Sequence, residues 1–242
     1  MSKNRAAKMQ RKPEVFENTI QFHTHTKNPK TPNIIPKTAN QENFYLNLIN
    51  HDQHVVIASG PAGTGKTYLA MQAAVKNLQN NDCEKIVLTR PAVSVDEEQH
   101  GFLPGNLYSK MEPWTRPLLD VLKEYYRPQD ILSMIEDQII EISPLAFMRG
   151  RTFKNCWIIA DEMQNSTPNQ MKMLLSRIGQ NSKIVITGDI EQTDRTKNQN
   201  GLLDIIDRLR PNPVDGISVC NFSNHDIQRH KIIGRILKLY NT

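Results

Sequence analysis

The segment GPAGTGKT, Gly60 to Thr67, fits the pattern G-x-x-x-x-G-K-[ST] and stands between two runs of different character. Before it, HVVIAS is a short run of strand formers. After it, YLAMQAAVKNL has the apolar spacing of a helix. A strand that turns through a Gly-rich loop straight into a helix opens a βαβ unit, which commits the chain to a parallel sheet with helices on its faces. The glycines let consecutive N–H groups turn inward toward phosphate oxygens. Lys66 supplies a point charge for the β- and γ-phosphates, the Thr67 hydroxyl a ligand for Mg²⁺, and the helix N-terminus a favourable field. The run Gly60, Pro61, Ala62, Gly63, Thr64, Gly65, Lys66 and Thr67, followed by Tyr68, is therefore expected to bind a nucleoside triphosphate.

The rest of the chain keeps the alternation. Strands are expected at His54–Ala58, Lys85–Thr89, Gln138–Ile142, Trp157–Ala160, Lys183–Thr187 and Ile217–Phe222. Helices are expected near Lys66–Leu78, Pro113–Tyr126, Pro168–Ile178, Gly201–Leu209 and His225–Leu239, with another in NQENFYLNLI, where Phe44, Leu48 and Ile49 share a face. Continuously apolar strands between amphipathic helices predict an α/β fold of three layers, a mostly parallel central sheet covered on both sides. Ligands of such sheets bind at the carboxyl ends of the strands.

The 242 residues suit one well-buried domain. No apolar run approaches the roughly 18–20 residues of a membrane span, and there is no signal-peptide core. Cys83, Cys156 and Cys220 are an odd, widely spaced set without C-x-x-C. That argues against a zinc ribbon or a disulfide scaffold and predicts buried neutral thiols in a reducing, cytoplasmic setting. The formal charge of +5 is uneven: residues 1–38 carry eight Lys or Arg against two Asp or Glu, and the remainder 22 against 23. Residues 1–38, with four prolines and little periodicity, read as a flexible basic arm with a short strand near Thr19–Phe22, and residues 39–242 as the folded domain. Such an arm is either a contact for a phosphate backbone or a solvated leader.

A second apolar strand, WIIA, ends in Asp161 and Glu162. Opposite a phosphate loop, Asp161 is expected to hold Mg²⁺ through water, as hard oxygen ligands suit that ion, and Glu162 can orient and deprotonate an attacking water. The strand IVIT is followed by Asp189 and Gln192, and a Gln amide can both accept from water and donate to a phosphate oxygen. Arg90 follows KIVLT, Arg149 and Arg151 precede WIIA, and Arg229 lies in the predicted last helix; Arg177 and Arg195 are further arginines of the chain to be weighed with them. Each either meets phosphate or makes a surface ion pair. The methionines of QMKMLL are at core spacing, and His225 and His230 lack metal-ligand companions.

Taken in order, GPAGTGKTYLA, TRPAV, GFLPG, EISPLAFMRGRTF, IIADEMQNSTPNQMKMLLSRIG, VITGD and HDIQRH resemble the PhoH-like, phosphate-starvation-inducible ATPase family, from about Gln41 onward. That family is similar to the first RecA-like domain of superfamily 1 helicases. The resemblance implies a RecA-like fold and an Mg²⁺-dependent ATPase coupled to RNA or single-stranded DNA. It makes Gln41 the residue that reads adenine and places Arg90 in a motif that touches nucleic acid. Gly188, Asp189 and Gln192 fall in the γ-phosphate-sensing motif, Arg229 is a finger residue acting across a subunit boundary, and Gln164 and Asn165 report the nucleotide state. Residues 1–38 are too short for the PIN ribonuclease domain of some members, so nuclease activity is not expected. A second RecA-like domain is also missing, which predicts a ring, a hexamer, in which neighbours complete each site. The competing readings are a nucleotide-switched assembly protein with low turnover and, more weakly, a small-molecule kinase.

Overall fold

A computed structural model of the protein describes residues 29–91, 116–193 and 199–228. Its elements in chain order are α1 (Ala39–Ile49), β1 (Val55–Ser59), α2 (Lys66–Gln79), β2 (Lys85–Thr89), α3 (residues 116–123), α4 (Pro128–Glu136), β3 (Ile140–Ile142), β4 (Cys156–Ala160), α5 (Pro168–Leu175), β5 (Lys183–Gly188), α6 (Gly201–Leu209) and β6 (Ile217–Asn221). The six strands form one sheet in the order β3-β2-β4-β5-β1-β6, and every pairing is parallel.

Alternate residues of each strand enter two separate cores. Val56, Ala58, Ile86, Leu88, Trp157, Ile159 and Val185 face α1, α2, α3 and α4. Val55, Ile57, Val87, Ile158, Ala160, Ile184 and Ile186 face α5 and α6. A strand buried on both faces has no polar positions to alternate with, which is why these runs are continuously apolar. Each Val, Leu or Ile side chain so removed from water contributes roughly 1.5–3 kcal/mol before chain entropy is counted. The three-layer α/β architecture is as the sequence predicts.

Boundaries differ for local reasons. The strand expected from Gln138 starts at Ile140, because Gln138 is left-handed with φ 59°. The helix expected to reach Ile178 stops at Leu175. There the Ser176 hydroxyl and the Arg177 guanidinium both donate to the Met173 carbonyl, and Ile178 instead bridges to Phe153. α4 was not predicted: over nine residues it buries only Asp130, Ile131 and Met134, too little for a period to stand out. The helix expected from His225 does not begin there. Asn224–Asp226 is a single 3₁₀ turn, and Ile227 is already extended. The remainder of that expected helix, the start of the one at Pro113 and the strand near Thr19–Phe22 lie outside the described residues.

Residues 29–38, assigned above to the arm, lie against the domain. Lys30 N–H donates to the Tyr125 carbonyl, Ile34 packs on the first core, and Thr38 caps α1. Among the described residues, no helix is long and apolar enough to cross a membrane.

Candidate functional site

The carboxyl ends of β1, β2, β4 and β5 meet at a cavity of about 310 Å³. Gly63, Gly65, Lys66 and Thr67 line one side, and Arg90, Asp161, Glu162, Asp189 and Gln192 the other. Larger apolar clefts lie along α6, away from these groups.

The loop leaves β1 at Gly60, which has φ 144°. A Cβ there would sit 2.4 Å from the Phe222 carbonyl oxygen, so the position is closed to any other residue. Gly60 N–H donates to the Gly188 carbonyl, tying the loop's root to the end of β5. α2 then begins directly at Lys66, with left-handed Gly65 as its cap. Lys66 is 7% exposed. Its ammonium donates to the carbonyls of Gly60 at 2.6 Å and Pro61 at 2.8 Å. The loop is thus folded around its own lysine, with Ala62 on the cavity wall and the Thr64 hydroxyl donating back to Pro61.

Two outside elements brace it. Gln41, at the start of α1, donates from Nε2 to the Thr64 carbonyl at 2.9 Å and accepts at Oε1 from the Lys37 N–H at 2.7 Å. It is buried behind the loop and does not line the cavity. On the other side, Gln228 N–H donates to the Gly63 carbonyl at 2.9 Å. The turn before it is held by Asp226, whose carboxylate accepts from Asn40 Nδ2, Ser223 N–H and the Ser223 hydroxyl. Burial pushes the Asp226 carboxyl up, but hydrogen bonds from Thr38, Asn40 and Ser223 outweigh it and hold the group at about 2.

Because β5 lies between β1 and β4, the end of β4 faces the phosphate loop across one strand. Asp161 stands at that point, and its Oδ1 accepts from Thr67 at 2.8 Å and from Thr187 at 2.5 Å. The Thr187 contact was not anticipated from sequence; the signal available was a threonine closing the apolar run IVIT. Glu162 is left-handed, with φ 55°. For a non-glycine this costs on the order of 1 kcal/mol, and it turns the side chain back over the strand ends. Its Oε1 pairs with Arg90 at 3.1 Å, and its Oε2 accepts from Gln164 Nε2 at 2.5 Å. Asp189 accepts from Glu191 N–H through its side chain and from Gln192 N–H through its main chain, forming a turn that sets Gln192 on the cavity wall.

Other predicted residues are placed as follows. Tyr68 stands at the cavity's rim, donating to Glu124 at 2.8 Å; burial and that bond push its hydroxyl pKa up. Arg151 is bidentate to Glu141 and lies over the Phe153 ring at 4.5 Å, so it is a structural ion pair. Burial raises the Glu141 carboxyl, but Arg151 and Lys85 outweigh it and hold the group low. Arg177 donates to the carbonyls of Met173 and Arg151, another structural role. Arg149 is exposed beyond β3. Arg195, Arg229 and His230 lie outside the described residues.

Met171 is buried in the second core, and Met173 packs against it. The three thiols are free and buried, and burial raises Cys83 to about 12 and Cys220 to about 11. Among the described residues there is no cluster of three or more His, Cys, Asp or Glu that could hold a metal. The donors at the cavity are instead one hydroxyl and one carboxylate oxygen, hard ligands of the kind Mg²⁺ takes while keeping water and substrate phosphates for its other positions.

A glycine-rich loop clasping its lysine, a strand-end carboxylate pair one strand away and a polar turn on the strand between define a P-loop protein of the nucleoside-triphosphatase type, with a three-layer α/β core. The chain belongs to the PhoH-like protein family, whose model matches residues 33–241. It is 44% identical over 204 residues to a PhoH-like protein of Synechocystis sp., covering 84% of this chain and 61% of that one. A PhoH-like protein of Bacillus subtilis is 43% identical over 238 residues, covering 97% and 73%. The chain therefore spans only part of the length of these relatives. Among solved structures, the Sulfolobus solfataricus SWI2/SNF2 ATPase core domain matches with a TM-score of 0.42 and 13% identity over 70% of this chain and 34% of that one, a likeness too distant to bear on function.

Proposed function

We propose that the protein binds ATP with Mg²⁺ and hydrolyses it, working as an oligomer on RNA or single-stranded DNA. One observation carries the hydrolytic part: Thr67 Oγ1 and Asp161 Oδ1 are 2.8 Å apart, with Glu162 the next residue along the chain. Two oxygens that close can share one small cation, and a second carboxylate beside them is surplus to binding alone. Mg²⁺ held there would neutralise charge on the β- and γ-phosphates.

The chain's own residues supply the rest. The loop N–H groups cradle the phosphates while Lys66 exchanges the Gly60 and Pro61 carbonyls for phosphate oxygens. Glu162 orients the attacking water and takes its proton. Gln192 faces the γ-phosphate with an amide that both donates and accepts. Tyr68 at the rim offers a ring face to the base. Gln41 reads adenine if its amide turns outward from the Thr64 carbonyl. Ring assembly, Arg229 as a finger residue between subunits and the polynucleotide partner rest on the family resemblance.

A second reading, a nucleotide switch with low turnover, is favoured by the pairing of both Glu162 oxygens, one with Arg90 and one with Gln164. Phosphate release from ATP, with Mg²⁺ or with chelator and with or without RNA and single-stranded DNA, separates the two. Steady Mg²⁺-dependent turnover raised by either polymer supports the motor. A single turnover per site, indifferent to polymer, supports the switch.

A further inference from the structure

Gln164 is 2% exposed, and its amide is satisfied by the site itself. Oε1 accepts from Asp189 N–H at 3.1 Å, while Nε2 donates to Glu162 Oε2 at 2.5 Å. The amide's orientation follows from chemistry: the Asp189 N–H can only donate, so the oxygen must face it and the NH₂ must face the carboxylate. The Gln164 main-chain carbonyl also accepts from the Thr193 hydroxyl at 3.1 Å. Gly188 makes room for the bridge, since a Cβ there would stand 2.5 Å from Gln164 Oε1. A single side chain thus spans the tips of two neighbouring strands, one carrying Glu162 and the other the turn that presents Gln192.

We propose that Gln164 is a positioning residue that fixes the Glu162 carboxylate and couples it to the Asp189–Gln192 turn. The inference rests on the reading that Glu162 acts in hydrolysis. Glu162 is otherwise held only loosely for this task, because its one other side-chain partner among the described residues, Arg90, is a long cation on a different strand end. With Gln164 in place, a displacement of the turn moves the Asp189 N–H, the amide and the carboxylate together. The residues that face the γ-phosphate and the residue that activates water are then set as one unit.

The test is a double-mutant cycle on the full chain, read by single-turnover phosphate release and by nucleotide affinity. Gln164→Met keeps the side chain's length and removes both hydrogen bonds. Gln164→Glu keeps an acceptor for Asp189 N–H and sets an oxygen against Glu162. Each is expected to lower kcat by about 10–100-fold, the scale of a misplaced catalytic group, with nucleotide Kd within about twofold. Combined with Glu162→Gln, neither should cost anything further, because the group through which Gln164 acts is gone. Undiminished kcat, or a loss that adds in full to that of Glu162→Gln, overturns the proposal. Loss of nucleotide binding by both variants would make Gln164 a structural residue and overturns it too. Absence of turnover in the wild-type protein would refute the hydrolytic reading itself and take this assignment with it, whereas turnover with unaltered variants refutes the assignment alone.

Discussion

Replacing Thr187 by Val tests the metal end of the site through a residue that touches neither the nucleotide nor the cavity wall. Thr187 is fully buried, and its hydroxyl donates to Asp161 Oδ1 at 2.5 Å, the same oxygen that accepts from Thr67 at 2.8 Å. Valine has nearly the same shape, so the change removes a donor without opening a cavity. A hydrogen bond to a charged acceptor is worth about 1.5–3 kcal/mol, and about 1.4 kcal/mol is a factor of ten. Part of that should appear as lost stability, about 1–2 kcal/mol in urea unfolding. The rest should appear at the metal, because partners that orient a ligand carboxylate typically govern about 10–100-fold in metal affinity. The half-saturating Mg²⁺ concentration for ATP turnover should therefore rise by about 10–100-fold, while turnover at saturating Mg²⁺ stays within a few-fold. Thr187→Ser keeps the hydroxyl and should behave like the wild-type protein. An unchanged Mg²⁺ dependence in the Val variant, or equal shifts for Val and Ser, would refute the reasoning.

Gly60→Ala would place a methyl group 2.4 Å from the Phe222 carbonyl oxygen at a φ of 144°, so it should destabilise the fold by about 1–3 kcal/mol and weaken nucleotide binding, both read by titration; wild-type stability would mean that the loop's root is not closed as described. Asp226 has a carboxyl at about 2 against an ordinary 3.8, so its contribution is complete above about pH 4 and is lost as pH falls through about 2. Unfolding free energies across that window should fall by at most about 2 kcal/mol more in the wild-type protein than in Asp226→Asn; parallel curves would count against the hydrogen bonds from Asn40 and Ser223.

Strand positions were legible because burial on two faces leaves little but apolar residues, and five-residue runs such as VVIAS and CWIIA are hard to place otherwise. The phosphate loop and the Asp161–Glu162 pair were legible because their spacing is tied to strand ends. α4 was not, since so short a helix carries too few apolar positions to show a period. The helix start expected at His225 failed because the Ser223–Asp226 capping box closes a single turn there instead. Within the site, Gln41 reads as a contact to the base by resemblance, yet its amide is spent on main-chain groups of the loop and of Lys37. Thr187 and Gln164 acquire their roles only through strand order. Thr187 is not near Asp161, nor Gln164 near Asp189, by any rule of local spacing until β4 and β5 are laid side by side.

The account's central claim is that Glu162 converts a binding site into a hydrolytic one. Its most direct test is phosphate release by the wild-type protein and by Glu162→Gln, with ATP affinity measured on both. The account predicts Mg²⁺-dependent turnover in the wild-type protein, and in the variant a fall in kcat of about 10²–10⁴-fold with nucleotide Kd nearly unchanged. Equal turnover by the two proteins would contradict it.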